Sequence, residues 1–180
     1  MLAMFIIAGE IMFWVLVLGG LVCRYIFQKK KLGAFFLWST PIVDLVILLV
    51  TIVDLRNGGT ANFVHGLAAI YIGVTFVFGK SMIDWADKRF AHRYNNGPEP
   101  QKPPKYGKTH AKKERKQWIQ HLFAWMIGCG LLSILIWVTG DESRTSQLMY
   151  TISLWTIILV IDFLISFSYT IWPRENKKEI

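Results

Sequence analysis

Charged residues are scarce in this chain, at 18% of 180, against about a quarter in an ordinary soluble domain. That shortage argues against a soluble enzyme and against a disordered chain. Cysteine is nearly absent, with only Cys23 and Cys129. Two isolated thiols make neither a secreted disulfide framework nor a CxxC redox motif. HExxH, GxSxG and a phosphate-binding glycine loop are all missing, so no motif assigns an enzyme activity and no cofactor is expected. No basic residue stands in the central part of any long apolar run. Acidic groups there have no intramembrane salt-bridge partner within reach, which speaks against an anion pathway.

Hydrophobic residues, by contrast, are abundant, at 53%. They fall into five blocks, at about 3–23, 32–54, 63–83, 118–139 and 148–172. About 20 mostly apolar residues in a helix cross the roughly 30 Å hydrocarbon core. Apolar blocks of that length, without strand alternation, read as helices, because an isolated strand leaves its edge groups unpaired in lipid. The sequence therefore predicts an all-α integral membrane bundle. It has five transmembrane helices in one domain over 1–180.

All basic residues but Arg56 and Arg144 lie in the 24–31 link, in or beside the 84–117 link, or in the tail. Five spans alternate between these two sides without conflict. The positive-inside rule then sets the N-terminus outside and the C-terminus inside, in a bacterial inner or plasma membrane. The formal net charge of +8 is explained by that face. Its expected partner is the anionic headgroup layer, not nucleic acid. The first span lacks a basic n-region and is not read as a removable signal. Gly20-Leu21-Val22-Cys23 fits a lipoprotein cleavage site poorly, since Val22 stands where a small residue is wanted.

Between the spans, 56–62 and 140–147 are short turns, so spans two and three, and four and five, are antiparallel neighbours. The basic, proline-containing cytoplasmic link 84–117 is the largest polar stretch. Ile83, Ala86, Phe90 and Tyr94 continue helical spacing, and this part is expected to leave the bilayer along the interface. Pro98, Pro100, Pro103 and Pro104 then make a stiff spacer. Thr109 is the expected cap of the next helix, and 110–117 a basic turn leading into span four. Lys88, Arg89, Arg93, Lys112, Lys113, Arg115 and Lys116 are the candidates for binding headgroups or a partner. Pro41 is expected to kink span two, because it removes one helical hydrogen bond.

Topology assigns depths to the ionisable groups. Glu10 falls in the outer third of span one, Asp44 near the middle of span two and Asp54 at its outer end. His65 lies just inside the outer end of span three, and Asp162 close to the middle of span five. His121 falls at the inner end of span four. A charge at mid-bilayer costs at least about 2.5 kcal/mol, so these groups should face the bundle interior. Two readings stay open. Asp44 and Asp162 could share a proton or a cation, with Glu10, Asp54 and His65 as an outer polar group. Alternatively each is interhelical glue, with Asp hydrogen-bonded to Ser166, Thr156, Tyr71 or Thr75. Glu10, Asp54 and His65 also have ligand chemistry that suits zinc or iron, so the metal question is open. His65 and His121 are too far apart along the membrane normal to share one haem.

The stretch from Met82-Ile83-Asp84-Trp85-Ala86-Asp87-Lys88 to Tyr94, then Pro98 to Pro104, leads into Glu114-Arg115-Lys116-Gln117-Trp118. Together with the Ile161-Asp162-Phe163…Phe167-Ser168-Tyr169…Trp172-Pro173-Arg174 ending, it resembles small uncharacterised multi-spanning inner-membrane proteins of bacilli and related bacteria. The resemblance covers most of the chain. It implies a bacterial plasma-membrane setting and carries over no catalytic residues. Three functions follow from the sequence as a whole. The first is a scaffold or partner-binding membrane subunit, with a homodimer or a second membrane protein as partner. The second is a small proton- or cation-conducting or sensing protein using Asp44, Asp162 and Glu10. The third is a lipid-modifying enzyme.

Overall fold

The apolar blocks fold as helices, and the polar links beside them prove to be largely helical too. A computed structural model describes residues 2–94, 98–100 and 104–174, apart from a few side chains that include that of Glu10. Its helices are α1 (Leu2–Leu21), α2 (Lys30–Arg56), α3 (Phe63–Tyr94), α4 (Gly107–Thr139) and α5 (Glu142–Ile171), with a π-helical turn Val22–Ile26 after α1. No strand occurs among the described residues. The whole of α2, α4 and α5 and the His65–Arg89 part of α3 are long and apolar enough to cross a membrane. The described apolar stretch at the N-terminus, Ile11–Ile26, is shorter.

Several boundaries differ from the sequence reading. The link between α1 and α2 shrinks to three residues, with Gln28 at φ 56 making the reversal. The 110–117 stretch is part of α4, not a turn. Thr109 does not cap that helix. Tyr106 occupies the cap position in extended conformation, and the Thr109 hydroxyl donates back to its carbonyl at 3.2 Å. The cause is Gly107, whose φ of 68 lets the chain turn into the helix three residues earlier. Lys102, Pro103 and the tail lysines Lys177 and Lys178 lie outside the described residues.

At 33 residues α4 is about 50 Å long, and at 32 residues α3 is about 48 Å. A hydrocarbon core of roughly 30 Å leaves some 20 Å of each beyond it. The excess lies at the basic end, because the far end is closed by tight turns. There, Gly140 takes φ 64 and donates to Ile136 O at 3.0 Å, ending α4. Asp141 caps α5, accepting from Ser143 N–H at 3.0 Å and from the Ser143 hydroxyl at 2.6 Å. Those bonds, ahead of the Arg144 charge, hold the exposed Asp141 carboxyl below its usual range.

Each helix packs on its neighbours in sequence, and α3 also meets α5. Leu48 and Leu55 of α2, Ala68 and Ala69 of α3, Leu132 and Leu135 of α4 and Leu148 of α5 form one buried cluster toward the far end. Gly73 and Gly128 bring backbones together. A Cβ on Gly73 would lie 2.4 Å from Ala124 O, and one on Gly128 would lie 2.3 Å from the Trp155 ring. Small residues serve this purpose where lipid supplies little hydrophobic drive. At Gly130 and Gly19 a Cβ would meet nothing within 4 Å. Outside this core the order is reversed: Trp14, Phe76, Trp137, Leu164 and many other large apolar side chains are exposed. Such a surface needs lipid as its solvent.

Candidate functional site

The polar residues expected at membrane depth fall into three separate groups. On α2, Pro41 has no N–H to donate to Leu37 O, and the Thr40 hydroxyl takes that carbonyl at 2.8 Å. One turn on, Asp44 is 5% exposed, on the same buried stripe as Thr40, Ile47, Leu48, Thr51 and Leu55. Its Oδ2 has no hydrogen-bond partner among the described residues. It stands at the middle of α2, as the sequence predicts.

A second group closes the far end. The Asn62 backbone N–H donates to His65 Nδ1 at 3.0 Å, and the His65 N–H returns a bond to Asn62 Oδ1 at 3.3 Å. This reciprocal pair starts α3 in the manner of a capping box. His65 is 2% exposed, and its Nε2 has no hydrogen-bond partner among the described residues. The Asp54 carboxylate is near enough to act on it electrostatically and lies against Gly59, the second glycine of the turn. Asp54 and His65, two members of the outer polar group considered from the sequence, thus lie near one another. The Glu10 side chain lies outside the described residues. Among the described residues no three His, Cys, Asp or Glu side chains gather as a metal site.

Asp162 belongs to a third group. Its Oδ2 is 2.7 Å from His121 Nδ1, across the α4–α5 seam. None of the expected partners Ser166, Thr156, Tyr71 and Thr75 holds it. Thr156 instead accepts from Trp125 Nε1 at 3.1 Å. Nor does Asp162 meet Asp44, since α2 and α5 share no extensive packing. Asp162 stands past the middle of α5, toward its basic end. The pair lines a half-open groove of about 250 Å³ with Val74 and Phe78 of α3, Ala124 of α4, and Trp155, Ile158 and Leu159 of α5.

The basic end is held together by side-chain ties. Arg24, 9% exposed in the π turn, donates from Nε to Asp87 Oδ1 of α3 at 2.7 Å and from Nη2 to Asp87 Oδ2. Its Nη1 donates to Lys30 O at 3.1 Å. Gly33 leaves room for the Arg24 stem, which a Cβ would meet at 2.6 Å. On the other side, Arg115 Nη1 donates to the Thr170 hydroxyl at 2.9 Å, and His110 packs on Tyr169 at 4.8 Å between ring centroids. The Gly107 N–H donates to Arg174 O at 2.9 Å. These ties fix a surface on which Lys88, Arg89, Arg93, Lys112 and Lys116 are exposed, with Lys113 and Arg115 partly so. The Arg89 guanidinium lies over the Trp85 ring at 4.4 Å.

Sequence reasoning counted Arg24 only as a basic flank and Asp87, with Asp84, His92 and His121, only as an inner-face group open to a lipid-modifying site; it did not pair the two. The available signal was an arginine directly after an apolar block, where a bidentate carboxylate partner is the cheapest way to hold a buried guanidinium. The His121–Asp162 pair had no local signal, because its members are 41 residues apart.

Among curated proteins, the Bacillus subtilis (strain 168) protein named "Uncharacterized membrane protein YmcC" is 45% identical over 177 residues, which is 98% of this chain and 95% of the relative. No family model and no solved structure matches. Near-complete coverage at that identity, with several helices able to cross a bilayer, makes this chain a member of the YmcC family of bacilli membrane proteins.

Proposed function

We propose that the protein is a partner-binding subunit of the plasma membrane, a single five-span unit with its N-terminus outside and its C-terminus inside. The positive-inside distribution supports that orientation, and α1, at 20 residues, has the length of a fifth span. In this orientation the basic end faces the cytoplasm. The carrying observation is that α3 and α4 run unbroken beyond the bilayer and are braced there by Arg24–Asp87 and Arg115–Thr170. A floppy polar link would need only to connect two spans. A braced pair of helices offering Lys88, Arg89, Arg93, Lys112, Lys113, Arg115 and Lys116 suits an acidic surface on a membrane-bound partner, with anionic headgroups beneath it. A second copy of the chain is the simplest alternative partner.

Crosslinking in cells through single cysteines at Lys88 and Lys112, then gentle extraction, is expected to recover a stoichiometric membrane protein. Lys112→Glu with Lys116→Glu is expected to reduce that recovery. If neither a partner nor a second copy is recovered, the reading fails.

A second reading rests on Asp44 alone. A buried carboxyl without a hydrogen-bond partner at mid-depth suits a proton- or cation-linked role. In proteoliposomes, Asp44→Asn should then abolish an ion-dependent flux while the protein stays folded. Unchanged flux would exclude it.

A further inference from the structure

The groove between α3, α4 and α5 has an apolar body and one polar end. Phe78 and Trp155 supply aromatic faces, with the Phe78 ring 5.3 Å from that of His121, and Val74 and Ile158 complete the walls. Trp155 is held against Gly128, so the wall is already in place. At the polar end, one oxygen of Asp162 holds one nitrogen of His121 at 2.7 Å. The other two heteroatoms, His121 Nε2 and Asp162 Oδ1, make no hydrogen bond among the described residues. Both side chains are about a third exposed, at 36% and 30%. Helix packing does not require that exposure, and hydrocarbon offers nothing to satisfy it.

We infer that this groove binds a neutral, hydroxyl-bearing amphiphile from the lipid leaflet nearer the basic end. Because Nδ1 gives its proton to the carboxylate, the open edge of the pair carries one acceptor oxygen and a nitrogen that accepts in the neutral ring and donates in the imidazolium. A hydroxyl, donor and acceptor at once, matches that edge in either charge state. A carboxylate or phosphate would be repelled by Asp162. An ammonium would have to shed its hydration in a groove whose walls are otherwise apolar, a cost that one free carboxylate oxygen does not repay. At about 250 Å³ the groove takes a ring or a short length of alkyl chain, not a whole diacyl lipid. The rest of the ligand lies among the lipid chains outside its open side. This inference does not depend on the partner-binding reading.

The test uses the full chain in lipid nanodiscs and a straight-chain alkanol with a photoreactive alkyl diazirine at mid-chain. Its methyl ether, carboxylic acid and primary amine, of the same length, are the comparison probes. After irradiation, mass spectrometry is expected to find the alkanol on the peptides that hold Phe78, Trp155 and Ile158. Its yield there should exceed that of each comparison probe by about fivefold, the worth of one net hydrogen bond. His121→Gln should lower alkanol labelling to the level of the ether. Ile158→Trp places bulk at an exposed wall position and should suppress it without removing either member of the His121–Asp162 pair. Equal labelling by any comparison probe overturns the inference. So does alkanol labelling that survives Ile158→Trp in a monodisperse protein, and that result decides alone if His121→Gln does not fold.

Discussion

Arg24 shows how much one residue can hold. Its guanidinium ties the turn after α1 to α3 through both oxygens of Asp87 and closes the same turn on Lys30 O. Removing either partner leaves a partly buried group without its bond. Arg24→Ala and Asp87→Ala are each expected to destabilise the protein by about 1–3 kcal/mol. The double variant should lose less than the sum, because the two report one interaction. Thermal unfolding in detergent across the four-protein cycle measures this, and full additivity would remove the clamp from the account. At Gly128 the limit is space. Gly128→Ala drives a methyl into the Trp155 ring and should cost about 1–3 kcal/mol by overpacking. Gly130→Ala, with nothing within 4 Å, should be neutral or better, and the contrast in melting temperature is the readout.

Among the elements, α5 begins on a single carboxylate. Hydrogen bonds from Ser143 favour the ionised form of Asp141 and hold its pKa down, so the folded state binds a proton there less readily than the unfolded chain. The contribution of the cap is complete above the ordinary carboxylate pKa of about 4 and is lost as pH falls through the lower folded value. Unfolding curves of the wild type should therefore weaken on acidification through that window. Asp141→Asn keeps a capping oxygen without a titrating group and should flatten this part of the profile. For α3 the question is continuity. Ala86→Pro breaks the helix near its basic end, at about 3 kcal/mol. It should lower partner recovery through Lys88 more than Lys88→Ala does, if the braced geometry matters as well as the charge.

Element placement was legible in the sequence because block length and the bilayer's thickness are two views of one constraint. Asp44 could be placed at the middle of its helix for the same reason. What could not be read was rotation and overhang. Asp162 was assigned a depth, but which neighbour it faces depends on the angular setting of α4 against α5, and the His121 contact spans 41 residues. The 110–117 stretch reads as a link because its outward charges mask a helical backbone, which only the ties from His110 and Arg115 to α5 make worthwhile. Thr109 looked like a cap because threonine is a good one, yet the Gly107 conformation starts the helix before it.

At the scale of the whole molecule, the proposed orientation makes a direct prediction. Ser143→Cys lies in the turn before α5, and Lys112→Cys on the overhang of α4. A membrane-impermeant maleimide added to intact cells whose outer layers have been removed should label the first and spare the second until the membrane is opened. The reverse pattern would invert every depth assigned here.

The brevity of the 57–62 and 140–141 turns has its own consequence. One of them is tightened by Gly58 at φ 98 and the other by Gly140 at φ 64, so in the proposed orientation both turns stand almost flush with the outer headgroups. A protease, an antibody or a phage arriving from the medium would then find almost no handle at either turn. A molecule that engages the helices beside them would have to come from the cytosol or travel sideways through the lipid.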